Sequence, residues 1–259
     1  MRFHLEAYSS SIATGTTPLI QVNAVPSNIY PKTGQGFLVQ QLNQILMASM
    51  QGAGAIRAQL QSASLRQNPF IDTVPVNRGA LFESPVRFAD FSDATLSVRS
   101  NEELDVFATQ NSGGAAVQTI GVWFSDGPMP PMRPTSNLTV HATAATTLAP
   151  LAWTPVTFAL DQSLDPGTYA IVGARCFSAT GLLFRVIPNS MNQTYRPGMT
   201  MVQAYDGLDH PYARNGVLGP WVQFATTALP QFELFATSAD TAEELWLDLV
   251  QVSTSIMGQ

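Results

Sequence analysis

Charge is scarce in this chain of 259 residues: Asp, Glu, Lys and Arg make up 12% of it, about half of the ~25% typical of soluble globular domains. A free surface so poor in charge is a solubility liability. The shortage points to a surface covered by neighbouring subunits, because interface cores are depleted in Lys, Glu and Asp; Gln, Asn, Ser and Thr as the solubilising residues are the plainer alternative. Lys32 is the only lysine among the 12 basic residues, and arginine, with its planar fork, is the better interface cation. The net charge of −6, the pI near 4.9 and the lack of any basic run argue against a phosphate-binding surface, which needs clustered Lys and Arg.

Cys176 is the one cysteine, which excludes an intrachain disulfide and a Cys-based zinc cluster and fits assembly in a reducing cytoplasm. Lying in the apolar stretch GARCFSA, it reads as an inert core thiol. No run approaches the ~20 apolar residues that span a bilayer. The first residues, MRFHLEAYSSS, hold one arginine and no apolar stretch, so no signal peptide is expected, and the sequons at Asn137 and Asn192 are read as chance.

Signatures of chemistry are missing too. His4, His141 and His210 lie far apart and outside any His-Glu-x-x-His spacing. No Gly-x-Ser-x-Gly elbow and no Gly-rich phosphate loop before a helix occurs. Asp206, Asp209 and His210 share the loop AYDGLDHPYARNG, but a calcium loop needs more oxygen ligands at regular intervals, and Asp-Gly and His-Pro are ordinary turn pairs. Glu102, Glu103 and Asp105 read as the solvated start of a strand. Trp123, Trp153, Trp221 and Trp246 read as core filling rather than a sugar-stacking platform. No catalytic, cofactor-binding or metal-binding residue is therefore assigned, no cofactor is expected, and the chain is read as not an enzyme.

What is present is β structure. Alternating and β-branched stretches, separated by turn residues, predict strands over 2–12, 17–25, 55–65, 79–89, 95–109 and 115–125, then 137–147, 154–160, 167–177, 180–187, 198–205, 217–226, 231–237 and 244–252. Residues 37–50, FLVQQLNQILMASM, place Leu38, Leu42, Ile45, Leu46 and Met50 at helical spacing, which predicts one helix packed on a sheet. GPMPPMRPTS, residues 127–136, is a proline-rich spacer, since proline cannot donate to a ladder.

The spacer falls between two echoes. Leu104–Asp126, LDVFATQNSGGAAVQTIGVWFSD, is matched by Phe232–Ser253, FELFATSADTAEELWLDLVQVS, with Phe107-Ala108-Thr109 over Phe235-Ala236-Thr237. Val86-Arg87-Phe88-Ala89 and Val222-Gln223-Phe224-Ala225 form a second echo upstream of the first. Each Phe-Ala-Thr strand is expected to open a hairpin that closes one half of the chain, with Ile120, Val122 and Phe124 facing one core and Leu245, Leu247 and Leu249 facing another. The fold class is all-β: two tandem jelly-roll β-sandwiches, 1–127 with the inserted helix and 136–259, joined by a linker at 128–135.

This organisation of two sandwich halves, a helix in the first, low charge, no disulfide and no catalytic motif resembles the double jelly-roll major capsid proteins of small tailless icosahedral bacteriophages. The resemblance covers the whole chain as an organisation rather than through a short motif. It implies a structural protein that self-assembles as a homotrimer with a pseudo-hexameric outline and tiles a virion beside other capsid proteins. Assembly in the host cytoplasm is expected with it, while the charge balance predicts no sequence-specific nucleic-acid binding and the lack of a long apolar run predicts no transmembrane segment. A two-domain β-sandwich binding module, such as a phage decoration or fibre protein or a lectin, is the alternative; a sandwich-fold hydrolase using Asp206 and Asp209 is a distant third.

Overall fold

The computed structural model describes residues 2–22, 25, 37–39, 42–65, 71–73, 75–77, 88–99, 102–127, 138–188, 195–201 and 220–254. Among these residues all regular structure is strand. The chain divides into two compact units, Met1–Pro128 and Met129–Gln259. The proline-rich spacer beyond Gly127 lies outside the described residues.

Unit 1 holds β1 (Phe3–Ile12), β2 (Gly15–Val22), β3 (Phe37–Val39), β4 (Gln44–Gly52), β5 (Ala55–Gln61), β6 (Ile71–Thr73), β7 (Pro75–Asn77), β8 (Ala89–Asp90), β9 (Leu96–Ser97), β10 (Glu102–Gln110) and β11 (Ala116–Ser125). One sheet runs β1-β11-β4-β7, with β8 and β9 also on β4; the other runs β2-β10-β5-β6, with β3 on β10. Unit 2 holds β12 (Leu138–Ala144), β13 (Trp153–Val156), β14 (Ala159–Leu160), β15 (Gly167–Phe177), β16 (Gly181–Ile187), β17 (Gly198–Thr200), β18 (Val222–Ala225), β19 (Gln231–Ala236) and β20 (Glu243–Thr254). Its sheets run β14-β12-β20-β15-β18 and β13-β19-β16-β17.

The two units repeat one strand order. The series β1-β11-β4-β8 matches β12-β20-β15-β18, and β2-β10-β5-β6 matches β13-β19-β16-β17. The Phe-Ala-Thr echo falls on matching strands, and so does the last residue of the second echo. Phe107 of β10 stands opposite Gln59 and Gln21, while Phe235 of β19 stands opposite Leu183 and Trp153, each between the same two neighbours. Ala89 pairs with Ala48 of β4 and Ala225 with Thr168 of β15. Val86 and Arg87 lie outside the described residues.

Two expectations are corrected. The closing hairpins do not form: β10 and β11 belong to different sheets, as do β19 and β20. The glycine turn shows where the chain reverses, but two strands joined by it can hydrogen-bond or cross to the facing sheet, and local sequence is the same for both. The helix expected over 37–50 is absent as well, since Phe37–Val39 and Gln44–Gly52 are strands. β4 is an interior strand flanked by β11 and by β7, β8 and β9, and its residues from Ile45 to Gln51 are buried on both faces. A strand buried on both faces loses its period-two alternation, and a run of Ile, Leu, Met and Ala then fits either structure.

Each unit has its own core. In unit 1 Ile120, Val122 and Phe124 are buried, as are Leu104, Val106, Ala108 and Leu60; in unit 2 the buried Leu245 stands opposite Ala142 and Cys176, and the buried Leu247 opposite Val140 and Ala174, with Leu249 buried beyond them. The turn from β4 to β5 depends on Gly54, at φ +66°, where a Cβ would lie 2.3 Å from the Ser112 amide nitrogen. Gly54→Ala is expected to cost unit 1 about 1–3 kcal/mol, combining left-handed strain with a backbone clash; urea denaturation measures it, and an unchanged midpoint would refute it.

Candidate functional site

In unit 2 the strands that bury Leu245, Leu247 and Leu249 turn a polar face the other way. Register sets His141 of β12, Trp246 of β20 and Arg175 of β15 in one row across the sheet. The His141 ring lies 4.7 Å from that of Trp246. Its Nδ1 meets the Asp161 carboxylate, just after β14, and its Nε2 lies 3.1 Å from Glu244 Oε2. The neighbouring Asp248 receives hydrogen bonds from Arg175 Nη2 at 2.9 Å and Thr139 Oγ1 at 2.7 Å.

Partial burial draws the His141 pKa down, but hydrogen bonds and charge from Asp161 and Glu244 outweigh it, and the net shift is upward. A raised histidine contributes stability that is full below its unfolded pKa near 6.5 and is lost as pH rises through the folded value. His141→Gln is expected to lower the stability of unit 2 at pH 5.5 by up to ~1 kcal/mol, screened by solvent, and to do less at pH 9. Thermal unfolding at the two pH values checks the sign. Beside Asp161 an open groove of about 430 Å³ is lined by Leu160, Gln162, Ser163, Leu164, Thr226 and Leu229; among the described residues its one charged group is the carboxylate that His141 already holds.

The second sheet of unit 2 carries a buried ionic group. Arg185 of β16 donates from Nε to Glu233 Oε2 of β19 at 2.7 Å, and Arg196 pairs with the same oxygen. The Arg185 guanidinium lies 3.8 Å over the ring of Trp153, which itself packs at 5.6 Å on Phe235. Arg185, Glu233 and Arg196 are all buried.

The residues singled out in the sequence separate. Glu102 accepts hydrogen bonds from Ser62 Oγ at 2.5 Å, Ser64 Oγ at 2.7 Å and the Ser64 amide at 2.9 Å. These bonds, Ser62 first, lower its pKa and tie the turn after β5 to β10. Asp105 instead accepts from Gln21, and Glu103 is exposed, so the three form no carboxylate pair. Asp206, Asp209 and His210 lie outside the described residues. His4 meets Glu6 at 3.1 Å with both buried. Burial pushes the Cys176 thiol well up. Trp123 and Trp221 are buried, whereas Trp153 and Trp246 are partly exposed and take the ring contacts described above.

Among the described residues no group of three His, Cys, Asp or Glu side chains is placed to hold a metal ion, and no helix is long and apolar enough to cross a membrane. The clusters around His141 and Glu233 join residues up to 103 positions apart, which only register brings together. The one local hint was the alternation Thr-Val-His-Ala, which sets His141 opposite the core residues Val140 and Ala142. No protein-family model matches the chain, and no curated protein matches it.

Proposed function

We propose that the chain is a structural protein of the double jelly-roll capsid class, self-associating as a trimer with a pseudo-hexameric outline within an icosahedral shell. The observation that carries this reading is the strand order repeated in both units: first, last and fourth strands side by side in one sheet, with second, penultimate and fifth in the other. A shared order of four strands in each of two sheets is compatible with a jelly roll, and two such units in tandem on one chain fit a subunit that presents two similar blocks to its neighbours. The scarcity of charge supports extensive contact between copies, because obligate interfaces are larger and more apolar than transient ones. A trimer needs a heterologous interface that closes, and loops between strands supply the adaptable contacts while the sheets hold the spacing. Light scattering coupled to size exclusion, with electron microscopy of the purified protein, tests the proposal. Trimers or shell-like particles are expected; a stable monomer that binds glycans would overturn it in favour of a binding module.

A further inference from the structure

The end of unit 2 where β20 begins buries a carboxyl group that no cation among the described residues neutralises. Glu243, the first residue of β20, stands opposite Ala144 of β12 and is 1% exposed. Its Oε2 accepts the Thr146 amide at 3.3 Å. Its Oε1 is buried without a hydrogen-bond partner among the described residues. The ionisable groups acting on it from neighbouring elements are the Asp240 carboxylate, from the segment before β20, and the Cys176 thiol of β15. Asp240 is itself well satisfied, by Ser178 Oγ at 2.5 Å and the Thr241 amide at 2.8 Å, and so remains an anion. Glu244 alternates to the opposite face, where it meets His141.

Residues 145–152, which connect β12 to β13 between the two sheets, are fastened at this end. The Thr146 amide donates to Glu243, the Leu148 amide to the Asp240 carbonyl at 3.0 Å and the Leu151 amide to the Ala236 carbonyl at 2.8 Å. Leu148 is buried, and Leu151 holds a φ of 54° that a leucine rarely adopts. Such a conformation persists only where the surroundings enforce it, so the connector depends on these few bonds.

We infer that Glu243 is a proton-operated latch: as a neutral acid it keeps this end of unit 2 dry and the 145–152 connector fastened, and as a carboxylate it admits water and releases the connector. An unpaired buried carboxylate is costly, and hydration on opening relieves that cost. Burial raises the Glu243 pKa from 4.5 to about 7; the Thr146 amide opposes the rise and Asp240 adds to it. Between those two values the closed form holds a proton that the opened form releases. Closure is therefore most stable below pH 4.5 and weakens as pH rises to about 7, with the full penalty present above it.

Amide hydrogen exchange on the full chain, corrected for the intrinsic chemical rate, reads the latch. Protection at Thr146, Leu148 and Leu151 is expected to fall about tenfold between pH 6 and pH 8, while Leu247 in the middle of β20 keeps its protection. Glu243→Gln should abolish the fall, and His141→Gln should leave it in place. The inference is overturned if protection is independent of pH, if Glu243→Gln shows the same fall, or if His141→Gln removes it. Should Glu243→Gln not fold, the carboxyl carbon of Glu243 is titrated by NMR in the unaltered protein: a midpoint near 7 that tracks the loss of protection supports the latch, and a midpoint near 4.5 overturns it.

Discussion

Glu233→Ala is expected to lower the stability of unit 2 by about 3–5 kcal/mol, the range for removing one partner from a buried ion pair. Two buried arginines lose this carboxylate at once. Arg185 is 0% exposed and Arg196 4%, and both address the same Glu233 oxygen. Arg185 keeps its place over Trp153, but a ring face offers at most ~2 kcal/mol to a desolvated cation, too little to replace a carboxylate. β16 and β19 are adjacent in register, with Arg185 directly opposite Glu233, so neither side chain can leave for water without disturbing the sheet. Urea denaturation followed by tryptophan fluorescence measures the loss, since Trp153, Trp221 and Trp246 all lie in unit 2. A loss below ~1 kcal/mol, the level of a surface pair, would show that the arginines find water or other partners when Glu233 is gone.

Strands were legible where composition and punctuation agreed. The stretch after Asp165-Pro166-Gly167 reads as a strand over 167–177, and β15 spans Gly167–Phe177; 115–125 becomes Ala116–Ser125. β-Branched and aromatic residues bounded by turn residues carry that signal within a short window. β4 escaped because burial on both faces erased the alternation that marks a strand. The closing hairpins fail for a different reason: pairing partners are set by which sheet edge is free, and a local window holds no record of that. The same limit hid the polar clusters. His141, Asp161 and Glu244 carry no spacing motif, and Arg185 and Glu233 are 48 positions apart; sheet register, a property of the whole unit, puts them in contact. Phe-Ala-Thr, slight as a triplet, led to the repeated strand order because each copy occupies a strand with equivalent neighbours.

Trp123→Ala is the counterpart in unit 1 and should cost about 3–5 kcal/mol, the range for emptying a buried tryptophan site. Trp123 is the largest fully buried side chain of the described residues. It stands on β11 between Leu5 of β1 and Met47 of β4, with the Phe88 ring edge-on at 5.4 Å. The walls of the vacated space belong to three strands locked in register, which limits how far they can close over it, and incomplete collapse puts such a cost at the upper end. The substitution also isolates its own readout. With Trp123 gone, every remaining tryptophan lies in unit 2, so fluorescence follows that unit alone while far-UV circular dichroism follows both. Separate cores predict an early unfolding step in the dichroism and an unchanged fluorescence midpoint; in Glu233→Ala the fluorescence step is the early one. Distant sites without shared partners act independently, and the two substitutions combined should then give the sum of their separate costs. If Trp123→Ala instead shifts the fluorescence midpoint as far as the dichroism, the units unfold as one body, and the repeated strand order describes one cooperative structure instead of two.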